Sequence, residues 1–168
     1  MTKEYLTIVD EDDNVIGKST YDELKAKGLI HRAANVFVFN SKGELFVHRR
    51  AENLNLYPGM WDVKFGGLVR ADESYKEAAL REMNEEAGIT GLMIAELFRQ
   101  KSRMQENLTN RKVFKCKYDG KIRLDKKEVA EGRFMKVAEA IKLMKDGKLS
   151  PSAEQIFKEF LKRKEVKM

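Results

Sequence analysis

Cysteine occurs once among the 168 residues, at Cys116, so neither an internal disulfide nor a multi-cysteine metal site can form, as in proteins of a reducing compartment. Proline occurs twice and glycine 11 times, too sparse for a collagen-like or low-complexity chain. No apolar run approaches the roughly 18 residues of a membrane span, and the opening Met-Thr-Lys-Glu-Tyr lacks the apolar stretch of a signal peptide. These absences predict a soluble, unexported, cytoplasmic protein with no membrane partner. What is present is 42% hydrophobic and 36% charged residues, enough for one folded domain with a core, so 1–168 is read as a single domain. Charge is uneven. Residues 1–98 carry a net −5 and residues 99–168 a net +11. A basic second half suits a phosphate-rich ligand or nucleic acid, but lysines on solvated faces and strand edges produce the same count.

The pattern along the chain alternates strands and helices. Residues 6–9 and 15–16 flank the turn-rich Asp10–Asn14 and predict a hairpin; Thr20 and Glu23 stand at capping-box spacing and Gly28 at a stop, predicting a helix over 21–27. Hairpin and short helix make up an N-terminal segment, 1–30. Residues 33–39 and 44–50, rich in Val and Phe around Asn40-Ser41-Lys42-Gly43, predict two antiparallel strands. A polar loop, 51–60, leads to a short strand over 61–68 broken by Gly66-Gly67. Ser74 as N-cap and Gly88 as stop frame a long helix. Strands follow over 92–103 and 112–118, joined by a polar turn over 106–110, then a strand over 133–137 and helices over 138–145 and 153–164. The class is α+β, with one mixed sheet carrying helices on its faces.

Chemistry concentrates between Gly67 and Ile89. At about 100° per residue, Glu82, Glu85 and Glu86 fall within about 100° of one another, one stripe of carboxylates beside the apolar face formed by Ala79, Leu80, Met83 and Ala87. Like charges at Glu82 and Glu86 repel, more so when partly desolvated, and call for a positive partner. Oxygen-only ligands favour a hard divalent cation, Mg²⁺ or Mn²⁺, which commonly completes its shell with phosphate oxygens. A substrate that carries phosphates is what this implies.

The run Gly67, five residues, Glu73, seven residues, Arg81-Glu82-Met83, Asn84, Glu85-Glu86, Ala87, Gly88-Ile89 resembles the complete box of the Nudix family, spanning 67–89 with Gly67 and Gly88 as structural glycines. Tyr57-Pro58-Gly59-Met60-Trp61 and Gly66-Gly67 are similar to the family's preceding loop and strand. The resemblance implies a Nudix α/β/α sandwich with a central mixed sheet. It also implies hydrolysis of a diphosphate bond in a nucleoside diphosphate derivative or similar small diphosphate. Glu82, Glu85 and Glu86, joined by Glu73, would be metal ligands, and Arg81 would orient a box glutamate. The general base would be Glu85, Glu86, or a carboxylate of a later loop, Glu128 or Glu131. It allows a homodimer.

A narrower resemblance, through His31-Arg32-Ala33, Phe39-Asn40, Gly43, Leu45, Val47, Arg49-Arg50-Ala51, Pro58-Gly59 and Trp61, is to the type 1 isopentenyl-diphosphate isomerase branch. That enzyme depends on a cysteine and a histidine where this chain has Gly66 and Leu68, and on later glutamates near Asn110 and Arg111. Isomerisation is therefore disfavoured, and a noncatalytic nucleotide- or RNA-binding module stands as the alternative to hydrolysis. Nucleic acid is the less favoured partner.

Of the remaining residues, His31 is read as structural or substrate-contacting and His48 as a half-exposed strand residue. One of Arg49 and Arg50 is expected on the ligand side of the sheet, in reach of a phosphate. Tyr57 and Trp61 are read as either base-stacking or packing residues. Met60, Met83, Met93 and Met104 are expected to fill the core, and Cys116 to be a small buried hydrophobe. Loops 51–60 and 104–110 are the expected seats of specificity.

Overall fold

The computed structural model describes residues 3–104 and 107–166, the side chains of 165 and 166 excepted. Its strands are β1 (Leu6–Val9), β2 (Val15–Ser19), β3 (His31–Phe39), β4 (Leu45–Arg50), β5 (Trp61–Asp62), β6 (Phe65–Leu68), β7 (Ala95–Met104), β8 (Asn107–Lys117) and β9 (Val129–Met135). Its helices are α1 (Tyr21–Lys27), α2 (Tyr75–Ala87), α3 (Val137–Lys145) and α4 (Pro151–Val166). This is the mixed sheet with helices expected. No helix among the described residues is long and apolar enough to cross a membrane.

Strand β3 organises the sheet. It runs parallel to β8 from His31↔Thr109 to Phe39↔Lys117 and antiparallel to β6 from Ala33↔Leu68 to Val36↔Phe65, while β1 joins at Ile8↔His31. Because β3 is covered on both faces, its second half, Val36–Phe39, is continuously apolar, and successive side chains serve different cores. Ala34, Val36 and Val38 pack with Ala78, Ala79, Met83 and Ala87 of α2; Phe37 packs with Ala140 of α3 and Ala153, Ile156 and Phe157 of α4.

Several expectations are corrected. Strands β3 and β4 pair at Phe39↔Leu45 and then part, β4 turning to β5 and β9, so the expected hairpin is a corner between two groups of strands. The single strand over 61–68 is two, β5 and β6, interrupted at Val63 and Lys64. Residues 107–110, read as part of a turn over 106–110, are strand; residue 106 lies outside the described residues. Thr109 and Asn110 are buried yet polar because each has a polar partner, Thr109 Oγ1 meeting the buried His31 Nε2 at 3.2 Å and Asn110 Nδ2 donating to the half-buried Asp13 at 3.2 Å. The last strand begins earlier, at Val129, and the last helix at Pro151. Met83 is fully buried, but Met93 and Met104 are exposed and fill no core.

Candidate active site

Local capping sets α2. Ser74 Oγ accepts from Glu77 N at 3.1 Å, Glu77 returns the bond to Ser74 N at 2.7 Å, and Gly88, left-handed at φ 66°, closes the helix with its N–H on Asn84 O. The helix packs its alanine face on β3 and β6, bringing Glu82 against the β6 backbone. A Cβ on Gly67 would lie 2.3 Å from Glu82 Oε1, and one on Gly66 would lie 2.2 Å from the Ala34 carbonyl oxygen. The absence of side chains there lets the carboxylates approach the strand.

Arg81 gathers the box residues. Its Nε and Nη2 grip Glu73 at 2.5 and 3.0 Å, Nη1 reaches Glu82 at 2.7 Å and Glu85 at 3.3 Å, and Nη2 also donates to Leu68 O at 3.1 Å. Glu73 further accepts from Arg70 N at 3.1 Å, so both its oxygens are engaged. Burial would raise the Glu73 carboxyl, but the bonds from Arg81 and Arg70 outweigh it and hold it low. Glu82 goes the other way. Burial raises its pKa, Glu85 and Glu128 add to that, and Arg81 only partly compensates. Glu86 is raised well above the ordinary value by burial first, then by the negative charges of Glu82, Asp62 and Glu128, against the relief from Lys64. Its Oε2 accepts from Gly66 N at 3.4 Å.

Glu128 arrives by a separate route. The loop after β8 caps the open end of α2, Arg123 N donating to Ala87 O at 2.8 Å and Asp125 N to Glu86 O at 3.1 Å. A turn at Asp125 then delivers Glu128 to a cavity of about 200 Å³ lined by His48, Arg50, Leu54, Asp62, Lys64, Gly66, Glu86, Glu128 and Val129. Glu131 is elsewhere, paired with Arg49 at 3.5 Å. The two adjacent arginines separate likewise: Arg49 is held by Glu52 and Glu131, whereas Arg50 lines the cavity with its Nε on Leu56 O.

Sequence reasoning missed Asp62 and Lys64. They form a buried ion pair at 3.0 Å, and the signal was there: two charges alternating with Trp61, Val63 and Phe65. Burial would raise the Asp62 carboxyl, but Lys64 and His48 outweigh it and keep it low. His48, expected to be half-exposed, is 5% exposed, because its ring lies flat on Phe65 at 4.6 Å. His31 is also buried and bonded to Thr109, so it serves the sheet. Trp61 packs partly into the α3–α4 core, while Tyr57 is exposed. Cys116 is buried beside Met83, and burial pushes its thiol up to about 11.

Among the described residues no three carboxylate, histidine or cysteine side chains stand in metal-holding geometry, since Arg81 holds Glu82 and Glu85 toward itself. The donor set nonetheless suits a hard cation. Glu82 and Glu86 carry negative charge that one arginine leaves uncompensated, and every candidate ligand offers oxygen.

Residues 29–160 match the NUDIX domain family. The chain is 35% identical over 158 residues to the Nudix hydrolase PA4841 of Pseudomonas aeruginosa, covering 94% of each. It is 41% identical over 93 residues to the Nudix hydrolase YfcD of Escherichia coli K12, a match spanning 55% of this chain and 52% of that one. In three dimensions it resembles the crystal structure of DR0079 from Deinococcus radiodurans, with a TM-score of 0.79 at 22% identity, over 93% of this chain and 98% of that one.

Proposed function

The chain belongs to the NUDIX family, and from that premise we propose that it is a metal-dependent hydrolase. Its substrate is a nucleoside diphosphate derivative or similar small diphosphate, and the bond cleaved is the diphosphate bond. The observation that carries the reading is the excess of half-buried carboxylate at Glu82 and Glu86, beside a cavity that also presents Arg50. Glu82, Glu85 and Glu86 would hold Mg²⁺ or Mn²⁺. A cation held there would neutralise charge on the phosphate oxygens and lower the pKa of water.

The chain's own residues set the geometry. Glu73 fixes Arg81, which orients Glu82 and Glu85; Glu73 would reach a metal only by releasing Arg81. Arg50, with its Nη groups available, binds a phosphate. Glu128 takes a proton from the attacking water, the water oxygen bonds to phosphorus, and the bridging P–O bond breaks with its electrons leaving on the departing phosphate. Glu85 and Glu86 are the other candidates for the base. Glu131, paired with Arg49, is not.

Isomerisation fits poorly. A cysteine at position 66 would drive its Cβ into the Ala34 carbonyl, and Asn110 and Arg111 are committed to Asp13 and to Gln100 and Gln155. The test is phosphate release with and without Mg²⁺ or Mn²⁺ across nucleoside di- and triphosphates, nucleotide sugars, coenzymes and isopentenyl diphosphate, with products identified by mass spectrometry. Metal-dependent cleavage of one class, lost in Glu86→Gln, is expected. Binding without cleavage across the panel would favour the noncatalytic module, and then RNA would be tried as ligand.

A further inference from the structure

A second cavity, of about 960 Å³, opens on the α4 face of the sheet and shares no lining residue with the carboxylate cavity. Strand pairing accounts for it. Lys115 and Lys117 of β8 stand opposite Phe37 and Phe39 of β3 and share their face, just beyond Val113, which packs in the α4 core. Helix α4 covers that face at Val113 but leaves Lys115 and Lys117 exposed, and the hollow is lined by these lysines and by the last turns of α4. Its apolar lining is Phe39 and Phe160, with ring centres 5.9 Å apart, together with Leu97, Phe98, Ile94 and Met93, the last 91% exposed. A hollow of this size and lining suits a small apolar body. The charge around it is of one sign. Among the described residues the lining has one acid, Glu159, and Arg163 holds that at 2.7 Å while lying 5.0 Å from the centre of the Phe98 ring. Lys115, Lys117, Lys162 and Lys164 are left, all exposed and supplied by two separate elements.

We propose that this cavity binds an amphiphilic anion, a single molecule with a hydrocarbon body and one phosphate or carboxylate head, at a site separate from the hydrolytic one. The body displaces water from Phe39, Leu97, Phe98 and Phe160, and the head meets the lysines, whose long stems bring their ammonium groups to it. Both halves of the ligand are needed. An inorganic anion finds only exposed lysines, each worth little in water, and leaves the aromatic surface wet. A neutral hydrocarbon covers the aromatic surface but leaves four like charges unrelieved. A second copy is a poor occupant, because a two-fold axis through this face would set the same lysines of both copies against one another. The proposal does not depend on the hydrolase reading.

The test is an amide ¹H–¹⁵N titration of the full chain with decyl phosphate, decanol and inorganic phosphate, each kept below the concentration at which it aggregates. Decyl phosphate should saturably shift the amides of Ile94, Leu97, Lys115, Lys117 and Phe160. It should bind at least about tenfold tighter than decanol and about a hundredfold tighter than phosphate. The amides of Glu85 and Glu86 report separately on the hydrolytic site, which a phosphate monoester also fits. The double variant Lys115→Glu/Lys117→Glu, at exposed strand positions, should lose at least about tenfold in affinity for decyl phosphate and less than about twofold for decanol. Equal affinities for decanol and decyl phosphate overturn the proposal, as do equal shifts with phosphate alone, shifts confined to Glu85 and Glu86, or no saturable shift. Groove amides that move with protein concentration alone would give the face to a second copy. Capture by phosphatidylglycerol vesicles without binding of free decyl phosphate would give it to a membrane surface, and either result overturns the proposal. If the double variant fails to fold, the contrast among the three probes in the wild type decides.

Discussion

Two arginine–carboxylate clusters lie along α2, and their proportions are reversed. In the middle of the helix one arginine, Arg81, serves three carboxylates, Glu73 from just before the helix and Glu82 and Glu85 within it, with Glu86 close by. At its start one carboxylate, Asp13, receives three donors: Arg32 at 3.0 Å, the Tyr75 hydroxyl at 2.9 Å and Asn110 at 3.2 Å. The outcome follows from the count. Where acids exceed donors, Glu82 and Glu86 are pushed up, by burial first and then by the neighbouring carboxylates. Where donors exceed acids, Asp13 is held below 3.8 although burial alone would raise it, and nothing further is called for. The first cluster is fitted to bind, the second to fasten the β1–β2 turn to β3, β8 and α2.

The sharpest challenge to this contrast is Glu86→Gln, which removes a carboxylate from the acid-rich cluster without opening the core. Turnover should drop by at least about a hundredfold with the fold retained by circular dichroism, and near-wild-type turnover would dissolve the functional half of the comparison. Next comes the pair Glu128→Gln and Glu131→Gln. The first should lower kcat about a hundredfold, the second less than about twofold; an inert Glu128→Gln would pass the base to Glu85 or Glu86. Arg81→Lys keeps one charge but loses the planar fork that holds Glu73 and Glu82 together, and should cost about 10–100-fold in turnover. The smallest effect belongs to the donor-rich cluster. Asn tolerates the left-handed φ of 65° at position 13, so Asp13→Asn should lose about 1 kcal/mol, roughly 2–4 °C, at neutral pH and leave kcat unchanged. The sign of its pH dependence is set by the depressed pKa: the wild-type advantage is full above 3.8 and vanishes as pH falls below it, which thermal melts of both proteins would show.

The acid-rich cluster was legible because its determinants are local. A stripe of glutamates, a capping serine at Ser74 and a stop at Gly88 all act within one helix, and short-range rules read them. The donor-rich cluster was not. Asp13, Arg32, Tyr75 and Asn110 come from four elements, and Asn110 looked like a turn residue because a polar side chain in a strand is unexpected until its partner is known. His48 was misread for a related reason: nothing in β4 shows that Phe65 will cover it. Glu128 could be distinguished from Glu131 only through the loop that caps α2, since both stand in the same run of sequence.

The parallel pairing of β3 with β8 joins residues 78 positions apart, and this governs how the chain must assemble. Such separation slows folding relative to a fold built from neighbours, because a long loop closes before the pairing repays it. During synthesis β1, β3, β6 and α2 emerge before β8 exists, so a nascent chain halted ahead of Asn107 leaves one whole edge of β3 unpaired. That edge invites pairing with another chain, and the interval before β8 arrives is when this protein is most vulnerable to aggregation.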